Sequence, residues 1–171
     1  LDLSMQALGQ VWGRVDPRAP DLKETATLLA SPRLYGAQTL LDVWRKPEDG
    51  FTVGRDIPAR ALSSVLRNLI VFEPVEDGGD FHVRLAGTAL LRRFGRDISG
   101  AKLSEIYAPA FFERRRDWLI ETIAGARPVM HRIEMQQGNR KPLGFELIYL
   151  PVLAPGRCAQ WVLGGLFFFE D

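Results

Sequence analysis

Apolar and polar residues alternate along several short stretches of the chain, and a period of two is typical of β-strands. Phe81, Val83 and Leu85 alternate with His82 and Arg84, which predicts a strand with one buried face. Four other stretches have strand character: residues 70–75, 129–136, 143–153 and 159–170. Gly-Gly, Gly-Asn and Pro-Gly pairs at residues 78, 138 and 155 mark turns next to these stretches. The pattern therefore predicts five strands.

Other stretches place apolar residues three and four positions apart, which predicts helices. The first helix runs from Leu34 to Trp44 and must end before Pro47, because the residue ahead of a proline avoids helical geometry. A second helix opens at Asp56, with Pro58 near its first position and a buried stripe of Leu62, Val65, Leu66 and Leu69. Two short helices, Thr88–Phe94 and Leu103–Ile106, precede the longest one, Pro109–Gly125.

Two strands, a helical connector and three further strands are typical of an α+β fold. We expect a five-stranded antiparallel sheet with helices on one side and an N-terminal helical extension. Residues 1–32 contain three prolines and weak periodicity, so residues 1–35 are predicted to form a loosely attached extension. Residues 36–171 are predicted to form the domain together with its leading helices, a size that suits one compact unit.

The last two predicted strands are apolar on both faces. In residues 143–153, one face carries Leu143, Phe145, Leu147 and Tyr149, and the other carries Ile148, Leu150 and Val152. In residues 159–169, Trp161, Leu163, Phe167 and Phe169 alternate with Val162, Leu166 and Phe168. A strand of this kind is covered on both faces. The connector provides one cover, and the N-terminal helix, a second subunit or both must provide the other; we expect a homodimer.

Composition narrows the classes of partner. The net charge is +1, from 22 basic and 21 acidic residues, so no overall field attracts nucleic acid or anionic lipid. The clusters Arg92-Arg93-Arg96 and Arg114-Arg115-Arg116 are diluted by acidic neighbours and indicate solvated helix faces. No apolar run reaches the roughly 18 residues that span a bilayer, and the first ten residues lack the pattern of a signal peptide. We therefore expect no nucleic-acid partner and no membrane partner.

The single cysteine, Cys158, excludes an internal disulfide and a cysteine-clustered zinc site. A lone thiol fits a reducing compartment, so a cytoplasmic location is expected. Because residue 1 is leucine, we expect the sequence to begin inside a longer chain.

The stretch FHVRLAGTALLRRFGRDISGAKLSEI combines a strand, a break at Gly87-Thr88, a short helix closed by Gly95 and a second one-turn helix. A helix bearing Trp44 precedes it, and the closing strands carry Leu150-Pro151 and Gly164-Gly165. This order resembles the PAS domain superfamily over residues 38–169, and in particular its stand-alone bacterial subfamily. The resemblance implies a sensory or signalling module that binds a small molecule or a partner protein and relays it through dimer or partner contacts. It leaves the cofactor unknown.

Two cofactors of similar domains lack their expected residues here. The resemblance implies a haem ligand on the long helix or beside it, but residues 109–125 contain no histidine. His131 is expected to be a buried, hydrogen-bonded side chain and His82 a surface one. Flavin photochemistry in similar domains requires a cysteine on a helix flanking the pocket, whereas Cys158 falls in a predicted turn.

Arg115 stands inside the apolar stripe of the longest predicted helix, between Phe111, Leu119 and Thr122. Its side chain either extends to water or an acidic neighbour, or points inward and holds the carboxylate or phosphate of a ligand. With His131 and Tyr149 as further donors, the second hypothesis predicts a small anionic ligand, and an apolar ligand is the other expectation. The candidate ligand site comprises Arg115, His131, Phe94, Phe111, Trp118, Leu119 and Tyr149.

Two other classes of function stay open. A small α+β cone-fold isomerase or hydrolase needs a carboxylate or histidine in the cavity, with Glu146 or His131 as candidates; Glu146 is otherwise expected to pair with an arginine such as Arg84. A ligand-free adaptor has its core filled by bulky residues such as Phe94, Phe111, Trp118 and Phe145. The sequence contains no catalytic constellation or metal-spaced cluster, so we expect no enzyme activity.

Overall fold

The computed structural model describes residues 15–57 and 59–169. Their strands form one sheet in the order β1-β4-β5-β6-β2-β3, and every neighbouring pair is antiparallel. The strands are β1 (Leu22–Leu28), β2 (Leu69–Val75), β3 (Asp80–Ala86), β4 (Val129–Gln137), β5 (Leu143–Leu153) and β6 (Gln160–Phe168). The predicted α+β class and antiparallel sheet are confirmed.

Four α-helices accompany the sheet within the described residues: α1 (Tyr35–Arg45), α2 (Thr88–Phe94), α3 (Leu103–Ile106) and α4 (Pro109–Gly125). Helices α2, α3 and α4 connect β3 to β4, as predicted. Short 3₁₀ turns cover Arg60–Leu62, Leu66–Asn68 and Glu76–Gly78. In the part of the chain that the structure describes, no helix is long and apolar enough to cross a membrane.

Both faces of β5 and β6 are buried, as their two-sided apolar pattern predicts. On the first face, Phe145, Leu147 and Tyr149 share a core with residues of α2, α3 and α4. On the second face, Ile148 and Leu150 pack in a separate core with α1, residues 51–57 and the 3₁₀ turns. The chain therefore covers the second face with its own residues, among which α1 is the predicted N-terminal helix.

The sheet has one strand more than the sequence pattern predicts. Residues 22–28 lie in the predicted loose extension, yet they form β1 and pair with β4 from Leu22–Gln137 to Leu28–His131. The alternation of Leu22, Glu24 and Ala26 with outward polar residues is the pattern of an edge strand. Pro17, Pro20 and Pro32 flank this segment, and prolines favour a loop in a prediction from sequence. Residues 15–21 are also attached to the domain, since the Ala108 N–H donates to the Pro17 carbonyl over 3.0 Å.

The helix predicted to open at Asp56 is replaced by two 3₁₀ turns. Three of its four expected stripe residues, Leu62, Val65 and Leu69, are nevertheless buried, and Leu66 is partly buried. The apolar positions are therefore largely correct, and the helical form is wrong. Ser63, Ser64 and Val65 interrupt the segment, and serine and β-branched residues favour a continuous helix only weakly. Pro58, residues 1–14 and the end of the last predicted strand at Glu170 lie outside the described residues.

A buried carboxylate attaches α1 to the sheet. Glu146 on β5 is 2% exposed and accepts hydrogen bonds from the Arg33 N–H over 2.9 and 3.0 Å and from the Leu34 N–H over 2.5 Å. These donors lie at the beginning of α1, where backbone N–H groups lack partners within the helix. The expected pairing of Glu146 with Arg84 is wrong. Glu146 is bound by these backbone N–H groups, and Arg84 instead forms an ion pair with Glu73, with 3.5 Å between Arg84 Nε and Glu73 Oε2. A carboxylate at a helix N-terminus also interacts favourably with the helix dipole.

The far end of α1 has a second polar attachment. The Trp44 indole N–H donates to the Pro151 carbonyl over 2.8 Å. Pro151 lies beyond Tyr149, where the pairing of β5 with β4 ends, so among the strands this part of β5 pairs with β6 alone and tolerates a residue without an N–H donor. Helix α1 is thus held at both ends by β5, and its apolar face fills the space between.

We expect Glu146→Ala to lower the free energy of unfolding by about 2 to 4 kcal/mol, because two N–H groups at the start of α1 lose a charged acceptor. Urea denaturation followed by circular dichroism measures this change. The matched control is Glu134→Ala on β4, which removes an exposed carboxylate and should change stability by less than about 0.5 kcal/mol. Equal losses in the two variants would contradict the anchoring role of Glu146.

Candidate functional site

The site is built around a guanidinium buried between α4 and the first face of the sheet. Arg115 is 0% exposed and shares the buried stripe of α4 with Leu119 and Thr122. The helical spacing that predicts Arg115 inside this stripe is therefore confirmed. An arginine is always charged at neutral pH, so its burial requires a compensating partner.

Glu24 on β1 is that partner. The Arg115 Nη1 donates to Glu24 Oε2 over 3.0 Å, and Nη2 makes a short contact with Oε1. Both side chains are fully buried. A second arginine, Arg114, donates from Nη1 to the same Glu24 Oε2 over 3.1 Å, and its side chain is 42% exposed. The carboxylate thus lies between a buried and a solvent-accessible guanidinium.

Two aromatic rings lie beside the guanidinium. Its central carbon lies 5.1 Å from the centre of the Tyr107 ring and 5.1 Å from that of Trp118, which is within cation–π range. Burial raises the pKa of both Tyr107 and Tyr149, and Arg115 partly offsets that rise. Both phenols are therefore neutral hydrogen-bonding groups at physiological pH.

His131 completes the polar part of the site. Its ring stacks on Trp118 with a centroid distance of 3.9 Å and an interplanar angle of 18°. His131 is 8% exposed, so the expectation that it is buried is correct. Its Nδ1 and the Arg115 Nε have no hydrogen-bond partner among the described residues. The hydrogen bond expected of His131 is therefore not found at Nδ1, and two buried polar atoms beside Trp118 retain unused bonding capacity.

A glycine on β6 makes room for Tyr149. Tyr149 is opposite Gly164 in the β5–β6 pairing. A Cβ added to Gly164 would lie 2.7 Å from Ile70 Cγ2 and 3.2 Å from the Tyr149 ring. Phe72 contacts the same ring edge-on, with centroids 5.6 Å apart. The absence of a side chain at residue 164 therefore sets the depth at which the tyrosine lies over the sheet.

The remaining predicted site residues lie around this centre. Leu119 is fully buried on the stripe of α4, and Phe111 packs against the same core with part of its surface exposed. Phe94 at the end of α2 contacts the Tyr107 ring edge-on, with centroids 6.2 Å apart. Five of the seven predicted residues, Phe94, Phe111, Trp118, Leu119 and Tyr149, belong to or pack against the core on the first face of the sheet, and Trp118 contacts the other two, Arg115 and His131.

Two residues of the site were not predicted. Glu24 belongs to the segment assigned to the extension, although its place in the Leu22–Leu28 alternation signals an inward side chain. Tyr107 directly follows α3 and is 7% exposed. Tyr107 lies between two helices and belongs to no periodic pattern, so only its contact with Arg115 identifies it.

The comparisons with known proteins bear on this fold and site. A family model described as a PAS domain matches residues 35–167, which is more than half of the chain. The chain belongs to the PAS domain family. It is therefore a sensory or signalling type of module in general terms. No curated protein and no solved structure gave a match. Strand β1, which carries Glu24, lies before the matched residues of this PAS domain.

The two candidates for acid–base chemistry lie on opposite faces of the sheet. His131 shares the first face with Ile133 and Met135, whereas Glu146 is engaged with the start of α1 on the second face. They cannot act on one substrate together. The described residues also contain no group of three or more His, Cys, Asp or Glu side chains placed to hold a metal ion.

Burial gives His131 a predictable pH dependence. It lowers the pKa of His131 below the ordinary value of 6.5; Arg115 and Arg114 lower it as well, while Glu121 and Glu24 act in the opposite direction. Between the two pKa values, the unfolded chain binds a proton that the folded chain does not. We therefore expect the free energy of unfolding to fall as the pH drops below about 6.5, by about 1.4 kcal/mol for each unit of pKa difference.

Chemical denaturation between pH 5 and 8 measures this dependence. His131→Gln should show a smaller fall in stability over this range than the unsubstituted protein. The control is His82→Gln, which removes the other of the two histidines and should keep the full decrease. A pH profile unchanged by His131→Gln would show that another group causes the decrease.

Proposed function

We propose that this PAS domain is a sensory module that binds a small anionic ligand at Arg115 and relays its presence through dimer or partner contacts. The observation that carries the proposal is a fully buried guanidinium whose Nε has no partner among the described residues. Arginine is well suited to planar anions because its nitrogens form a rigid fork. Exposed arginines, by contrast, are ordinary features of a solvated helix.

The surroundings of Arg115 support a ligand site over a filled structural core. His131 Nδ1 is a second buried polar atom without a partner in the described part of the chain. Tyr107 and Trp118 supply flat aromatic surfaces beside the charge. Small-molecule sites combine such apolar walls with a few convergent polar groups. A ligand-free adaptor accounts for the Arg115–Glu24 pair but gives no reason to leave two buried polar atoms without partners.

Arg115→Lys tests the ligand site. Lysine keeps the positive charge but loses the two-nitrogen fork, so we expect the affinity for benzoate or phosphate to fall about 10- to 100-fold. Chemical-shift titration by nuclear magnetic resonance measures these dissociation constants. Native mass spectrometry and an absorption spectrum of the freshly purified protein reveal any anion or chromophore that co-purifies.

Arg116→Lys is the matched control. Arg116 neighbours Arg115 on α4, but its side chain is 30% exposed and pairs with Asp117. It should bind the anions as the unsubstituted protein does. Circular dichroism confirms that each variant is folded. Equal anion binding by Arg115→Lys and the unsubstituted protein would contradict the assignment of the site.

Strand β6 offers a direct path from this site to α1. Gly164 faces Tyr149, and the next residue, Gly165, faces Leu40 of α1: a Cβ added there would lie 2.8 Å from Leu40 Cδ2. Gly164 is closely packed on one face of the sheet and Gly165 on the other. Close packing transmits displacements well, because tightly packed interiors have little free space. We propose that movement at Tyr149 alters the packing of α1 in this way.

The proposed output surface lies at the beginning of α1, and its proposed partner is a second copy of the chain. Tyr35, the first residue of α1, is 81% exposed. It lies at the rim of a cavity of about 350 Å³ whose lining includes Leu34, Val65 and Phe167. A large exposed aromatic residue beside apolar groups is typical of protein-binding surfaces.

Tyr35→Ser is expected to weaken the proposed homodimer at least tenfold, because it removes the exposed aromatic anchor. Multi-angle light scattering over a concentration series measures the dimer dissociation constant. Leu91→Ser, which changes another exposed apolar residue on α2, should leave that constant unchanged. A monomer at high micromolar concentration would contradict the dimer.

A further inference from the structure

We infer that Glu24 occupies the position of the ligand's carboxylate, so that a small carboxylic acid displaces Glu24 and releases β1 from the edge of the sheet. This inference rests on the proposed function, because it concerns the same Arg115 site. It adds the chemical class of the ligand and the segment that responds to it.

The first argument is the geometry of Glu24. Its two carboxylate oxygens contact the two terminal nitrogens of Arg115, which is the bidentate arrangement expected of a carboxylate ligand. The carboxylate arrives from a strand that is not next to α4 in sequence. An external carboxylate on the same nitrogens would compensate the buried charge equally well. Exchange of one carboxylate for the other therefore leaves no unpaired guanidinium in the core.

The second argument is access from solvent. Glu24 Oε2 also accepts a hydrogen bond from Arg114, whose side chain is 42% exposed. An anion arriving from water can contact Arg114 before it reaches Arg115. The two arginines and one glutamate carry a net charge of +1, which favours the approach of an additional anion.

The third argument is the attachment of β1. It pairs with β4 alone, and the opposite edge of β1 has no strand neighbour within the described residues. Leu22 is buried and Ala26 is partly buried, but Leu28 is 73% exposed. Apart from Glu24, few side chains therefore attach this strand to the core. Edge strands with little apolar burial open more readily than central ones.

The walls of the site indicate what else the ligand carries. The rings of Tyr107 and Trp118 lie 5.1 Å from the guanidinium that holds the carboxylate, and the His131 ring stacks on Trp118, so a flat apolar body is favoured next to the acid group. A carboxylate matches the planar arrangement that Glu24 already adopts. We therefore expect benzoate to bind more tightly than acetate or inorganic phosphate.

Removal of the internal competitor is the first test. Glu24→Gln retains the size of the side chain and eliminates its charge, so benzoate should bind at least tenfold more tightly to this variant than to the unsubstituted protein. Glu134→Gln on β4 removes an exposed carboxylate and should leave the affinity unchanged. Unchanged or weaker binding by Glu24→Gln would overturn the inference.

A reversible cross-link provides a second test that does not remove the buried charge. Thr25 and Glu134 are register partners in the β1–β4 pairing and are both exposed. Thr25→Cys with Glu134→Cys, in a chain that also carries Cys158→Ser, should form a disulfide that locks β1 in place. Oxidation should weaken benzoate binding at least tenfold, and reduction should restore it. Equal affinity in the two redox states would overturn the inference.

Hydrogen exchange of the unsubstituted full chain reports release directly. Saturation with benzoate should accelerate amide exchange in residues 22–28 and leave β5 protected. If benzoate binds through Arg115 while β1 stays protected, the inference fails and the proposed function stands. If acetate, benzoate and phosphate all fail to bind even Glu24→Gln, the proposed function fails together with the inference.

Discussion

The need to bury both faces of β5 and β6 determines the rest of this structure. The connector α2–α4 covers one face, and α1 with the segment before β2 covers the other. Each cover needs polar groups that attach it to the sheet, because an apolar surface by itself is non-directional. Glu146 supplies that attachment for α1, and the Arg115–Glu24 pair supplies it between α4 and β1.

The two buried carboxylates nevertheless differ in kind. Glu146 is satisfied by backbone N–H groups of neighbouring residues, which are present whenever α1 is formed. Glu24 instead compensates two arginine side chains, Arg115 and Arg114, and at Arg115 another carboxylate of suitable shape could take its place. A contact to the backbone is therefore specific to the fold, whereas a contact between two side chains can be exchanged. For this reason the proposed ligand site is at Arg115 and not at Glu146.

Much of the site could be predicted from the sequence because periodicity assigns residues to faces. The helical period placed Arg115 in the stripe of α4, and the strand period placed Tyr149 and His131 on the same face of the sheet. The contact between Arg115 and Glu24 could not be predicted, since these residues are 91 positions apart. Nor could Tyr107, whose position in a loop has no period to reveal it.

By itself, the sequence determined the elements of this PAS domain that repeat a pattern: five strands, the long helix and the two apolar faces of β5 and β6. Such patterns are local, because the spacing of apolar residues within one element shows which of them share a face. Only the tertiary structure decided that β1 joins the sheet, that Glu146 accepts from the start of α1, and that Glu24 neutralises Arg115. These are pairings between distant segments, and their partners are selected by the requirement that every buried charge and polar group be satisfied.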